Sequence, residues 1–148
     1  MTPQRSDTNH SPERIVVGID GSGTAIEALR WAVDEARRRN ATVEAVCAWH
    51  QAFVAPTHIL GDPAPFERDA MQLLDSAIDE VDTSGVTVDR KLRTGNASQA
   101  LLHEAKGAAL LVVGSRGRGG FTGLLLGSVS QQVAHHAPCP VVIVPATP

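Results

Sequence analysis

The strongest constraint on the fold is a regular alternation of short apolar segments with segments of helical periodicity. Five runs rich in β-branched residues predict strands at Arg14–Ile19, Thr42–Trp49, Val86–Leu92, Ala109–Val113 and Pro140–Val144. Apolar residues at helical spacing predict helices between them, around Ile26 to Ala36 and at Phe66–Val81, Ala97–Ala105 and Ser128–His135. Because strands and helices alternate, the sequence predicts a single doubly wound α/β domain, in which a parallel sheet carries helices on both faces.

The apolar patterns also predict where strands lie in the sheet. The two most apolar internal strands, 14–19 and 109–113, are expected to form the central pair, because such strands are covered on both faces. Val86–Leu92 alternates in polarity and is expected to be a half-exposed edge strand. Ligands of doubly wound sheets bind at the carboxyl ends of the strands, where the winding direction reverses. The candidate site therefore lies at Gly18-Ile19-Asp20 and at Val113-Gly114.

Polar residues mark the predicted starts of two helices. Ser22 or Thr24 could cap the first helix, and Thr24 with Glu27 matches a capping box. Asn96 can cap the helix that begins at Ala97.

Composition excludes several classes of protein. The 148 residues suffice for one domain, with polar residues 1–12 expected as a disordered tail and 13–146 as the folded unit. A net charge of −3, a pI near 6.0 and only five aromatic residues argue against a nucleic-acid binder. No run of about 18 apolar residues is present, so no membrane span is predicted. Cys47 and Cys139 fit no metal-binding spacing and are expected to be buried thiols, which favours the reducing cytoplasm.

The last predicted strand, Pro140–Val144, is apolar throughout, although a strand in that place would usually lie at a sheet edge. An exposed flat apolar edge is a template for aggregation. We therefore expect a second copy of the chain to cover it in a symmetric homodimer. The alternative is that the strand is internal or is masked by the following residues.

Residues 114–129 read GSRGRGGFTGLLLGSV, and six of these sixteen residues are glycine. Glycine permits close approach of the main chain to a ligand, and successive N–H groups can form an anion-binding concavity. The stretch then enters a helix, whose N-terminus favours negative charge. These features predict a phosphate cradle, with a merely flexible turn as the alternative. The sequence is neither a Walker A loop nor a dinucleotide fingerprint.

The spacing Gly114-x2-Gly117-x9-Gly127-Ser128 is similar to the G-2x-G-9x-G(S/T) motif of ATP-binding universal stress proteins. The resemblance covers residues 14–144. It includes IVVGIDGS at 15–22, RWAVDEA at 30–36, VVGSRGRGGFTGLLLGSVS at 112–130 and HAPCPVVIV at 136–144. It implies a five-stranded sheet of order 3-2-1-4-5 and dimerisation through the last strand.

The same resemblance implies a set of residues that contact ATP. Gly18, Ile19 and Asp20 match the end of the first strand, and Ala48 matches the position beside the adenine. The remaining matches carry ribose and phosphate contacts or close the loop at a helix N-terminus: Val113, Gly114, Arg116, Gly117, Arg118, Gly119, Gly120, Gly127, Ser128 and Val129.

Four of these positions have alternative interpretations. Asp20 could hold the ribose or a Mg²⁺ ion beside the phosphates, or it could be a turn residue that caps the first helix. Arg116 and Arg118 could clamp a phosphate or be solvated loop charges. Ser128 could donate to phosphate, cap the last helix, or do both.

The leading interpretation is a cytoplasmic ATP-binding regulatory protein of the stress response, acting as a homodimer with an unidentified protein partner. No catalytic triad or paired carboxylates occur in one motif, so at most slow ATP hydrolysis is expected. The alternatives are an enzyme of the related adenine-nucleotide alpha-hydrolase type, whose sequence patterns are absent, and a scaffold that binds no nucleotide.

Overall fold

A computed structural model describes residues 11–49, 64–116 and 126–146. Within these ranges the chain forms five strands and four helices in strict alternation. The strands are β1 (Arg14–Gly18), β2 (Thr42–Trp49), β3 (Val88–Thr94), β4 (Leu110–Gly114) and β5 (Val141–Val144). The helices are α1 (Gly23–Arg39), α2 (Ala64–Asp79), α3 (Ala97–Glu104) and α4 (Ser128–His136).

The five strands form one parallel sheet in the order β3-β2-β1-β4-β5. This confirms the doubly wound fold and the order that the family resemblance implied. The central position of β1 beside β4 confirms the prediction from the two most apolar strands. The place of β3 at one edge confirms the prediction from its alternating pattern, and β5 forms the other edge.

Two apolar clusters cover the two faces of the sheet. One joins α1 and α2 to alternate residues of β1, including Ile15 and Val17. The other joins α3 and α4 to the opposite face through Val16, Leu101 and Val133. Helices on both faces bury β1 completely from Ile15 to Val17, as a continuously apolar strand requires.

The N-terminus of α1 resolves the choice between two predicted caps. Ser22 is the N-cap, and its hydroxyl accepts the N–H of Ala25 at 3.2 Å. The predicted capping box at Thr24 is wrong, because Thr24 lies inside the helix and its hydroxyl donates to the carbonyl oxygen of Arg116. Asn96 caps α3 as predicted, accepting the N–H groups of Ser98 and Gln99.

Several predicted boundaries shift by one or two residues. Helix α2 ends at Asp79 rather than Val81, because the N–H of Val81 turns back to the carbonyl of Ile78. Strand β3 starts at Val88 rather than Val86, because the N–H of Val86 is used in a turn with Thr83. Strand β1 ends at Gly18, one residue earlier than predicted.

The two cysteines differ in burial. Cys47 is buried, as predicted, whereas Cys139 is only partly buried because it lies just before the edge strand. None of the helices in the described part of the chain is long and apolar enough to cross a membrane.

Candidate functional site

The candidate site lies where β1 and β4 end side by side. From β1 the chain passes through α1 to β2, which lies toward one edge of the sheet. From β4 it passes through α4 to β5, which lies toward the other edge. Neighbouring parallel strands with opposite winding leave a crevice at their carboxyl ends. A pocket occupies this crevice, lined by Gly18, Ile19, Asp20, Ser22, Ala25, Val46, Ala48, Ala97, Leu101, Val113, Gly114, Arg116, Val129 and Ser130.

Most of the described residues that the sequence singled out line this pocket. They are Gly18, Ile19, Asp20, Ala48, Val113, Gly114, Arg116 and Val129. Gly127 and Ser128 stand at the start of α4 but are not among the lining residues. Gly117, Arg118, Gly119 and Gly120 lie outside the described residues. The structure therefore brings together three segments that are far apart in the sequence.

Sequence reasoning missed six lining residues: Ser22, Ala25, Val46, Ala97, Leu101 and Ser130. Val46 could have been found, because it precedes Ala48 by two residues and therefore shares its face of β2. Ala97 and Leu101 are four residues apart and share a face of α3. Their part in the site depends on how α3 crosses the sheet, which no local pattern gives.

The pocket has an apolar floor and a polar mouth. We call its apolar lining the floor: Val46, Leu101 and Val113 are buried, and Ala48 and Ala97 are partly buried. Leu101 packs beneath Gly18 so closely that a Cβ at position 18 would lie 2.8 Å from Leu101 Cδ1. Such a floor suits a flat, largely apolar group.

The mouth carries the two charged residues among the described lining, Asp20 and Arg116. A carboxylate and a guanidinium at one opening can select a ligand that bears both hydroxyl donors and an anionic group. The pocket thus has its apolar residues in the floor and its charged residues at the mouth.

Asp20 makes a turn at the entrance to α1. Its Oδ1 accepts the N–H of Ser22 at 2.9 Å, a side-chain contact two residues along the chain that favours turns. The turn role considered for Asp20 is therefore present, although the helix cap itself is Ser22.

Cys47 is not an activated nucleophile. Burial, and secondarily the charge of Asp20, raises the pKa of the Cys47 thiol.

Metal binding by the protein alone has little support in the described ranges. No group of three or more His, Cys, Asp or Glu residues there is arranged to hold a metal ion. Mg²⁺ commonly takes one or two protein carboxylates and completes its shell with phosphate and water. A single carboxylate, that of Asp20 at the pocket mouth, fits that mode of binding.

Gly114 is required by the packing of α1 on the end of β4. A Cβ at this position would lie 2.5 Å from Thr24 Oγ1 and 2.8 Å from the carbonyl carbon of Thr24. Contacts this short with main-chain atoms cannot be relieved by rotating a side chain. The close approach that glycine permits here is therefore one between α1 and β4.

Ser115 joins three elements directly after β4. Its N–H donates to the carbonyl of Val144 at the end of β5, at 2.8 Å. Its carbonyl oxygen accepts the N–H of Gly127 at 2.7 Å and the hydroxyl of Ser130 at 3.1 Å. Ser115 and Ser130 are both buried. The chain thus leaves β4 and returns to α4 at one fixed point.

The interpretation of Ser128 as an N-cap is wrong. Gly127 is the N-cap of α4 and Ser128 is its first helical residue. Gly127 offers no side chain to the first turn. The Ser130 hydroxyl instead donates back to the carbonyl of Gly127, at 3.0 Å.

Comparison with known proteins gives a consistent family match. The family model described as the universal stress protein family matches residues 12–145. A universal stress protein of Mycolicibacterium smegmatis is 38% identical over 139 residues, covering 88% of this chain and 45% of the relative. One from Mycobacterium tuberculosis H37Rv is 37% identical over 138 residues, covering 93% of this chain and 46% of the relative. The chain spans about half the length of these curated relatives.

Solved structures with the same fold include nucleotide complexes. A universal stress protein in complex with cAMP superposes with a TM-score of 0.71 at 28% identity, covering 91% of this chain and 98% of the other. The Archaeoglobus fulgidus protein in complex with dAMP gives 0.62 at 23% identity, with 89% and 97% covered. An Arabidopsis thaliana family member with AMP bound gives 0.60 at 22% identity, with 92% and 93% covered. The last two likenesses establish the fold alone.

Proposed function

The chain belongs to the universal stress protein family, and from that premise we propose that it is an ATP-binding regulatory protein of the stress response. The observation that carries the proposal is the pocket at the ends of β1 and β4, with its apolar floor and charged mouth. Complexes of structural neighbours with cAMP, dAMP and AMP support an adenine nucleotide as the ligand class.

The adenine ring is proposed to enter the apolar floor beside Ala48. Val46 and Leu101 would contact the ring faces, and burial of apolar area would supply most of the affinity for the base. The ribose and phosphates would then lie at the mouth, near Asp20 and Arg116. Asp20 would hold a ribose hydroxyl or Mg²⁺, since a bare carboxylate repels phosphate.

The phosphate end is proposed to depend on main-chain N–H groups between β4 and α4, together with the Arg116 guanidinium. Helix N-termini favour anions, and α4 begins at Ser128 directly after the glycine-rich sequence. No residue of the site is proposed to transfer a proton or to form a covalent bond. The chemistry assigned to the site is binding.

Regulation would follow from a difference in nucleotide affinity between two states of the protein. We propose that a partner protein reads the surface that the nucleotide stabilises. We also propose that the working form is a cytoplasmic homodimer joined through Pro140–Val144. The support for the dimer is that every residue of β5 is apolar and only half-buried at the sheet edge.

Titration with ATP and Mg²⁺ tests the binding proposal. Ala48→Phe places a ring in the floor and is expected to weaken ATP binding by more than about tenfold, because the space for the base is filled. Ala134→Phe is the matched control, since Ala134 is exposed on α4 and does not line the pocket. Isothermal titration calorimetry of the three proteins measures the dissociation constants. Absence of ATP binding by the unmodified protein would overturn the proposal, as would equal affinity in Ala48→Phe.

A further inference from the structure

The first turn of α1 holds the main chain at the pocket mouth. The hydroxyl of Thr24 donates to the carbonyl oxygen of Arg116, and the hydroxyl of Ser22 lies 3.5 Å from the same oxygen. Ninety-two residues separate Thr24 from Arg116 in the sequence. Arg116 lines the pocket, whereas Thr24 does not. Thr24 can therefore influence a bound ligand through the residues that it contacts, which are Arg116 and also Ser22, whose Oγ lies 3.2 Å from Thr24 Oγ1.

The contact depends on the glycine beneath it. The Cβ that any other residue would bring to position 114 would lie 2.5 Å from Thr24 Oγ1 and 2.7 Å from Thr24 Cβ. Glycine at 114 thus lets α1 approach closely enough for the hydroxyl of Thr24 to reach the carbonyl of Arg116.

Thr24 is not needed to start the helix. Ser22 caps α1 through its contact with the N–H of Ala25, and Thr24 already lies within the first turn. The hydroxyl of Thr24 therefore serves the tertiary contact, while its Cβ lies against Gly114 at the end of β4.

We propose that Thr24 is a positioning residue for the phosphate end of the nucleotide site. By fixing the carbonyl of Arg116, it fixes the main chain from which the exposed Arg116 side chain extends. A group that is already ordered loses less conformational entropy when it contacts a ligand. The inference rests on the proposed nucleotide binding and extends it to a residue outside the pocket lining.

A pair of substitutions separates the hydroxyl from the shape of the side chain. Thr24→Val keeps the shape and removes the donor, whereas Thr24→Ser keeps the donor and removes the methyl group. Thr24→Val is expected to raise the dissociation constant for ATP by about two- to tenfold, the effect of one lost hydrogen bond. Affinity for adenosine, which has no phosphate, should not change. Thr24→Ser should bind ATP as the unmodified protein does, and Thr87→Val, an exposed threonine before β3, is the matched control.

Limited trypsin digestion without nucleotide gives a second readout that does not depend on ATP binding. Cleavage after Arg116 should be several-fold faster in Thr24→Val than in Thr24→Ser or Thr87→Val, because the Arg116 carbonyl has lost its nearer donor and keeps only the long contact with the Ser22 hydroxyl. If the unmodified protein fails to bind ATP, the proposed function falls, and the digestion result alone then decides whether Thr24 anchors Arg116. Equal cleavage rates in all the variants would overturn the inference. So would a loss of ATP and adenosine affinity in equal proportion, since that reports general destabilisation.

Discussion

At the scale of single residues, Gly114 matches the glycine motif but is also required by the packing of α1 on β4, which the motif does not reveal. The sequence marked it as the first glycine of a phosphate loop. In the structure a side chain there would collide with the main chain of Thr24. The glycine lines the pocket and also permits the packing of α1 on β4. A glycine in a binding motif can therefore be demanded by the fold even before any ligand is considered.

Gly114→Ala is accordingly expected to destabilise the protein in the absence of nucleotide. The added Cβ would lie 2.8 Å from the carbonyl carbon of Thr24, so α1 must shift, at a cost of about 1–3 kcal/mol. Gly23→Ala is the matched control, because nothing lies within 4 Å of a Cβ at that position. Urea unfolding of both variants measures the free energies of unfolding. Stability unchanged in Gly114→Ala would contradict this account of the packing.

Single residues also mark where sequence reasoning stops. The pattern of Thr24 and Glu27 is a valid local signal for a capping box, and Ser22 was the correct alternative. The hydroxyl of Thr24 instead bonds to the distant carbonyl of Arg116. This acceptor lies 92 residues away in the chain, so no window of sequence contains both partners.

At the scale of elements, the apolar patterns predicted each strand and helix that the structure describes, because helices bury one face and the central strands bury both. The predicted and observed bounds agree closely where the flanking signal is strong, as at Asn96 before α3 and Thr42–Trp49 for β2. They differ at the connection between α2 and β3, where short turns take main-chain donors away from the helix and the strand. The floor residues of α3 could not be predicted, since they depend on where that helix crosses the sheet.

The same connection contains a pH-sensitive turn. The hydroxyl of Ser84, its N–H, and more weakly the charge of Arg37 lower the pKa of the exposed Asp82 carboxyl. Because the folded pKa is below the unfolded one, this turn contributes stability above the ordinary pKa of Asp, about 3.9, and loses it as the pH falls through the folded pKa. Arg37 also bonds to the carbonyl oxygens of Asp82 and Ser84, which ties the turn to α1.

Ser84→Ala is expected to raise the pKa of Asp82 back toward its ordinary value and to lower the free energy of unfolding at neutral pH. The difference from the unmodified protein should shrink as the pH falls through the lowered folded pKa of Asp82, below which the carboxyl is protonated in both proteins. NMR titration of the Asp82 carboxyl and urea unfolding at pH 7 and pH 3 measure the two effects. Ser76→Ala, at an exposed position of α2, should show a difference that does not depend on pH.

At the scale of the whole molecule, the edge strand β5 is the least covered apolar element of the described sheet. Its residues are half-buried, and the main-chain N–H and C=O groups of successive residues point to opposite sides of the strand. The carbonyls of Pro140 and Val144 bond to β4 and to Ser115, so the N–H groups of Val141 and Ile143 point to the free edge. That outward row is where a second copy would pair in the proposed homodimer.

Ile143→Pro tests the proposed dimer. Proline removes an outward N–H and is tolerated at an edge whose N–H groups face away from the sheet. We expect the unmodified protein to sediment as a dimer at micromolar concentration and Ile143→Pro to sediment as a monomer. Ile143→Ala loses the same packing but keeps the N–H, so it should remain dimeric. A monomeric unmodified protein would rule out the dimer, and a dimeric Ile143→Pro would rule out pairing through this edge.

The double contact at the Ser115 carbonyl has a consequence for evolution. Gly127 and Ser130 both donate a hydrogen bond to the carbonyl oxygen of Ser115. The stretch between Ser115 and Gly127 therefore starts and ends at the same point of the structure. Doubling the length of such a loop costs only about 0.6 kcal/mol in closure entropy. The contacts of Ser115 with Gly127 and Ser130 therefore impose no fixed length on the stretch between them. Insertions or replacements between Ser115 and Gly127 are therefore expected to leave the sheet and the four described helices in place.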